Sequence, residues 1–221
     1  MTTLHEEKVI CSLCGKENEY TGIGSTNQLG SPDLDTRPPE MQRSTMFTWV
    51  QQCSGCGYCA SDIGINGSKV QAVVIGDEYK DQLEDSNYCK LAVSFLCKAI
   101  LDRESKDYSD ATWAYIHAAW ACDDENHDKQ ATVCRQKAVD MLMLAEKHSQ
   151  QVMDQDGANT AILVDLLRRS RLFDQARQVI LKRLSQISDD IITRILDYQI
   201  QLIDKNDSSC HTIIEALGED G

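Results

Sequence analysis

From Asn87 onward, apolar residues recur at intervals of three and four. The series runs Leu91, Phe95, Leu96, Ala99 and Ile100, then Trp113, Ile116, Ala119 and Trp120, then Val133, Ala138, Leu142 and Ala145. It continues through Ile162, Leu163, Leu166 and Leu167, then Ala176, Val179, Ile180 and Leu184, then Ile191, Ile192, Ile195, Leu196, Ile200 and Ile203. This spacing keeps one face of a 3.6-residue helix apolar. No proline interrupts the region, and glycine occurs in it only at 157, 218 and 221. Ser109-Asp110, Asp174 and Ser188-Asp189 are suitable helix starts, because their side-chain oxygens accept hydrogen bonds from free N–H groups. The pattern predicts roughly six or seven helices of 12–20 residues, joined by short polar turns.

Residues 1–66 read differently. They hold all three prolines (Pro32, Pro38, Pro39) and many Gly, Ser and Thr. Short β pieces are expected at Lys8–Ile10 and Thr48–Gln52. Residues 67–86 are transitional: Val70, Val73 and Val74 with Tyr79 and Leu83 fit a helix, while Val70, Ala72 and Val74 also alternate as a strand does. Helix is the preferred reading. The expected organisation is a small β module over 1–66 and a helical array over 67–221. Small residues at Ala119, Ala131 and Ala138, and again Val164 and Ala176 around the run Arg171–Ala176, give a degenerate internal repeat of the tetratricopeptide (TPR) kind, where small side chains let paired helices approach. An ordinary helical bundle is the alternative.

The β pieces lead into two knuckles, Cys11-Ser12-Leu13-Cys14-Gly15 and Cys53-Ser54-Gly55-Cys56-Gly57. A CxxC turn presents two sulfurs on one side, and two such turns supply the four ligands of a tetrahedral zinc site. The glycine after each second cysteine allows the backbone angles a knuckle needs. Cys11, Cys14, Cys53 and Cys56 are therefore the expected ligands of one structural Zn²⁺, since a catalytic zinc keeps a position open for water. Cys59 makes a third CxxC with Cys56. It is either a spare thiol beside the site or a redox-sensing thiol.

Charge narrows the partners. The 221 residues carry 35 acids and 22 Lys plus Arg, a net charge of −13. Residues 1–78 hold 10 acids and 5 bases, and the remainder 25 and 17, so both parts are acidic. Affinity for nucleic acid rests on neutralising phosphates, and here it needs Lys8, Lys16, Arg37, Arg43 and Lys69 gathered on one face. No run approaches the length of a membrane span, and Met1–Lys8 lacks the basic and apolar pattern of a signal segment. Of ten cysteines, four form paired CxxC turns, which points to metal binding in a reducing compartment, hence to a cytoplasmic protein.

The paired CxxCG knuckles, the segment Gly30-Ser31-Pro32-Asp33-Leu34-Asp35-Thr36-Arg37-Pro38-Pro39-Glu40-Met41 and the later Ala118-Ala119-Trp120-Ala121-Cys122-Asp123-Asp124 resemble an uncharacterised bacterial family, a domain of unknown function. That family joins a zinc-ribbon start to TPR-like helices. The resemblance covers most of the chain and implies an architecture without an activity. Relatives often carry Pro after the first cysteine of a knuckle, where this chain has Ser12 and Ser54.

Other candidates are weaker. Between Cys14 and Cys53 lie 38 residues, and this long loop holds Asp33, Asp35, Arg37, Glu40 and Arg43. These charges either pin the loop to the rest of the protein or present it to an acidic partner or phosphate. Asp123-Asp124-Glu125 sits at a helix C-terminus, where acids oppose the macrodipole. They either start the next helix or pair with Arg168, Arg169 or Arg171, whose default reading is a solvated face. Trp113 and Trp120 read as core, and Cys89, Cys97, Cys122, Cys134 and Cys210 as small buried hydrophobes. No HExxH, GxSxG, GxxxxGK[ST] or GxGxxG motif is present. His117 and Cys122 do not share a helix face, so no enzyme is expected. The leading expectation is a zinc-stabilised protein-interaction module with a basic or amphipathic partner. The alternatives are a nucleic-acid-associated zinc ribbon and a thiol redox sensor.

Overall fold

The computed structural model describes residues 1–218. It is mainly α-helical, with small strand pairs confined to the N-terminal third. Strands β1 (Thr3–Ile10) and β2 (Glu17–Ser25) form an antiparallel hairpin whose turn is the first knuckle. Short pairs follow: β3 (Gln28–Leu29) with β4 (Glu40–Met41), and β5 (Gln51–Gln52) with β6 (Cys59–Ala60), the latter flanking the second knuckle. A 3-10 turn covers Arg43–Thr48.

The helices are α1 (Gly67–Val74), α2 (Asp77–Leu83), α3 (Lys90–Glu104), α4 (Tyr108–Asp124), α5 (Asp128–Lys147), α6 (Ala158–Arg169), α7 (Phe173–Arg183), α8 (Asp190–Asp204) and α9 (Ile213–Leu217). The transitional segment is therefore helical. Expected starts fall close to the observed ones: Asp107 caps α4 through the Asp110 N–H, and Asp189 caps α8 through the Ile191 and Ile192 N–H groups. Helices α3, α4 and α5 pack in sequence, as do α6, α7 and α8. Ala119, Ala131, Ala138, Val164 and Ala176 are all buried, as close helix approach requires.

The N-terminal segment does not stand apart from the helices. Leu34 and Met46 enter the common core. The Trp49 ring lies 5.1 Å from His117 and 6.5 Å from Trp120 on α4, while Phe95 of α3 meets His117 at 5.2 Å. The inter-knuckle loop also meets the far end of the chain. Leu34 N–H donates to His211 O (2.9 Å), Ile213 N–H donates to Pro32 O (2.9 Å), and Asp33 bridges Thr212.

Candidate metal centre

Both knuckles have the same local geometry. Cys11 N–H bonds Lys16 O (2.9 Å) and Gly15 N–H returns to Cys11 O (2.8 Å). In the second knuckle, Cys53 N–H bonds Tyr58 O (2.8 Å) and Gly57 N–H returns to Cys53 O (2.9 Å). Gly15 and Gly57 hold φ of 76° and 74°, the left-handed region that favours glycine. At Gly57 space also decides, because an added Cβ would lie 2.3 Å from a Leu83 methyl.

The knuckles face each other and bring the four sulfurs of Cys11, Cys14, Cys53 and Cys56 within 4.8 Å of one another. Across the knuckles Cys11 lies 3.7 Å from Cys56, and Cys14 lies 3.5 Å from Cys53. A tetrahedron with zinc–sulfur bonds of 2.3 Å has edges of about 3.8 Å. The residues therefore fit one tetrahedral ion, with every ligand a sulfur.

Surrounding groups fix these ligands. Gly55 N–H (3.3 Å) and the Asn18 amide (3.6 Å) point to the Cys53 sulfur. Burial raises the Cys53 thiol, but N–H groups of Cys56 and Gly55 outweigh it and hold its pKa down to about 6. Ser12 and Ser54, which follow the first cysteine of each knuckle, act as stitches. Ser12 Oγ sits 2.8 Å from Ile63 O and 2.9 Å from Ile65 O, and accepts from Gly67 N–H at the start of α1 (3.0 Å). Ser54 gives both its N–H (2.9 Å) and its hydroxyl (2.7 Å) to Asn18 Oδ1 on β2. Only their free hydroxyls marked them in the sequence, and that signal is too general to have singled them out.

Cys59 lies outside the sulfur cluster. It is fully buried on β6, where its N–H donates to Tyr79 Oη (3.0 Å) and Tyr79 Oη–H donates to Gly57 O (2.9 Å). Its hydrogen bond with Cys97, then burial, pushes the Cys97 thiol up. Cys122 is pushed up in the same way by Cys134 and by burial. Cys210, in contrast, is not helical: it lies in the loop after α8 and is exposed.

The charged candidates form a largely buried network at the ends of α4 and α6. Asp35 Oδ2 accepts from Trp120 Nε1 (2.7 Å) and Arg169 Nη1 (3.0 Å). Burial would raise Asp35, yet the Arg169 charge and the Trp120 N–H hold it below the usual carboxylate range. Arg37 Nη2 meets both Asp124 oxygens at 2.7 Å, and Arg43 pairs with Asp33 at 2.7 Å. Asp123 Oδ2 accepts from Arg169 (2.8 Å) and from Arg135. Arg168 is not part of a solvated face. It is fully buried, bonded to Asp165 (2.6 Å) and to the carbonyls of Asp207 and Ser209 (2.8 and 2.9 Å). Arg169 is partly buried, with its side chain 9% exposed, while Arg171 stays exposed. Asp35 and Arg37 thus hold the loop to the helix ends, while Asp33 and Arg43 pair within the loop. Arg135, which completes this network, carried no distinguishing pattern in the sequence.

Three of the five basic residues a nucleic-acid surface would need are already paired with acids. Lys8 pairs with Glu17 (3.3 Å) and Glu19 (3.2 Å), and Arg37 and Arg43 are answered by aspartates. No described helix is long and apolar enough to cross a membrane. No family model, curated protein or solved structure matches the chain.

Proposed function

We propose that this chain is a zinc-stabilised protein-interaction module without catalytic activity of its own. The closed four-sulfur site carries this reading. With four sulfur ligands, zinc has no position left for water or substrate, and its binding free energy becomes folding free energy. The ion would hold the second knuckle and β6 against α2 and α3, and so stabilise the surface they share. The stacked helix pairs support a TPR-like scaffold, a form that presents extended surfaces to partners. The reducing compartment that such a site requires is the cytoplasm.

A basic or amphipathic partner is supported by a cleft of about 410 Å³ between Tyr58–Asp62 and α3. Asp62, Asp102, Asp107 and Asp110 line it against Lys69 and Lys98. Burial pushes Asp102 up to about 6, although Lys98 lies 2.7 Å away. A surplus of carboxylates in a partly dry cleft attracts cations and speeds their encounter.

The test has two parts. Metal analysis of purified protein is expected to give one zinc per chain, lost in Cys11→Ser and retained in Cys59→Ser; a folded, metal-free protein overturns the first half. Fluorescence anisotropy with a Lys-rich amphipathic peptide is expected to show saturable binding that weakens with salt and falls several-fold in Asp110→Lys. Binding that ignores both salt and that substitution overturns the second half.

A further inference from the structure

A second cavity, of about 270 Å³, opens where the C-terminal ends of α4 and α6 meet the start of α5 and the loop after α8. Its lining includes Arg135, Arg169, Arg171, Thr132, Ser208 and Ser209. Asp123 and Asp128 also line it. Thus three cations face two anions, against the acidic trend of the whole chain.

The donors are in larger surplus than the charges. Each guanidinium carries five N–H donors in a planar fork. Arg135 is nine-tenths buried or more, at 4% exposure, yet its side chain makes one hydrogen bond among the described residues, to Asp123. Its Nε is buried with no partner there. Arg169 spends two donors, one on Asp35 and one on Asp123. The Arg171 side chain has no hydrogen bond or ion pair among the described residues, and neither does the Ser208 hydroxyl. A buried charged donor left without an acceptor is costly. Asp123 cannot relieve this alone, because the same Oδ2 already serves Arg135 and Arg169. Cys210 adds no negative charge: although the residue as a whole is exposed, partial desolvation of its thiol, against the pull of Arg169 and with Asp33 and Asp35 nearby, pushes its pKa up to about 12.

We propose that this niche is an oxyanion site suited to a phosphate group, with Arg135 and Arg169 at its base and Arg171 and Ser208 closing on the ligand from the rim. Several acceptor oxygens on one compact anion satisfy guanidinium forks and hydroxyls together. The phosphate is either free or carried as a monoester on a serine-like group. The inference does not rest on the interaction-module reading above and survives its failure.

Isothermal titration of the full chain with inorganic phosphate and with O-phospho-L-serine, at constant ionic strength against chloride and serine controls, tests it. Saturable binding is expected, weakened about ten-fold in Arg171→Gln, as loss of a charge-assisted contact implies, and weakened less in Ser208→Ala. Both positions lie at the rim, so the unliganded melting temperature of each variant is expected to match the parent. Tighter binding of phosphoserine identifies a monoester site, and equal or tighter binding of inorganic phosphate identifies a free-phosphate site. No saturable binding of either, or binding indifferent to Arg171→Gln, overturns the proposal. Basic-peptide binding at the cleft beside Asp110 is expected to be unchanged in Arg171→Gln, which separates the two readings.

Discussion

His117 shows how a single side chain takes its chemistry from its surroundings. It sits among the rings of Trp49, Phe95, Trp113 and Trp120. Burial, with help from Lys98 and Arg37 and against Asp35, pulls its pKa down to about 3. The folded protein thus keeps a neutral ring where the unfolded chain takes up a proton near pH 6.5. For a base with a depressed folded value, stability is complete above the unfolded pKa and is lost as pH falls toward the folded one. Asp102 works in the opposite sense: raised to about 6, it takes a proton first in the folded state and adds stability as pH falls through 6. The parent pH profile is therefore shallow, and a comparison isolates the histidine. In urea unfolding, His117→Phe is expected to remove about 1–2 kcal/mol of destabilisation between pH 7 and pH 5 relative to the parent; parallel profiles would contradict this. None of it was visible in the sequence, where five histidines are scattered without pattern. The four clustered cysteines were visible, because a knuckle is a local device whose spacing fixes its geometry.

At the scale of elements, some helix beginnings could be read and helix ends could not; α3, α5, α6 and α7 start without a side-chain cap to announce them. Asp107 and Asp189 cap through their own side chains, a signal carried by one residue type. The C-terminal ends of α3, α4, α5, α6 and α8 are closed by Lys106, Asn126, Ser149, Arg171 and Asn206, all in the left-handed region. In each case the next residue's N–H reaches back to close the last turn, as Asp107 does to Asp102 O (2.9 Å) and His127 to Cys122 O (2.8 Å). Glycine is the usual occupant of that position, so its absence hid five boundaries. The fate of Asp35 and Arg37 was equally hidden, since their partners lie 85 to 134 residues away. Asp35 is the hinge of that arrangement, holding Trp120 and Arg169 at once. Asp35→Ala leaves the largely buried Arg169 short of a counter-charge and the Trp120 N–H without an acceptor. A loss of about 3–5 kcal/mol in chemical denaturation is expected, and a loss below 1 kcal/mol would show that the loop is held elsewhere.

For the whole molecule, the helical periodicity after Asn87 announced the fold class, and the knuckles announced strands beside them, although Thr48 lies in the 3-10 turn and the pair of β3 with β4 was not foreseen. The joining of residues 32–34 to residues 211–213 did not. It is made by backbone groups, which every sequence possesses. The joint can be tested without disturbing its helix. Ile213 is the first residue of α9, a position that accepts proline well, and its N–H is the donor to Pro32 O. Ile213→Pro deletes that one bond. A stability loss of about 1 kcal/mol is expected, with faster hydrogen exchange at the Leu34 amide and unchanged exchange inside α4. Uniform acceleration everywhere would instead mean that the joint governs global unfolding. The same joint dictates an order of assembly on the ribosome. The second knuckle is complete at Cys56, but the strip that residues 32–34 pair with is not synthesised until about 155 residues later, roughly 8–30 s at ordinary translation speeds. The four sulfurs can therefore come together before the segment between the knuckles docks, and that segment must wait, with its aspartates and arginines in water, for residues 211–213 to arrive.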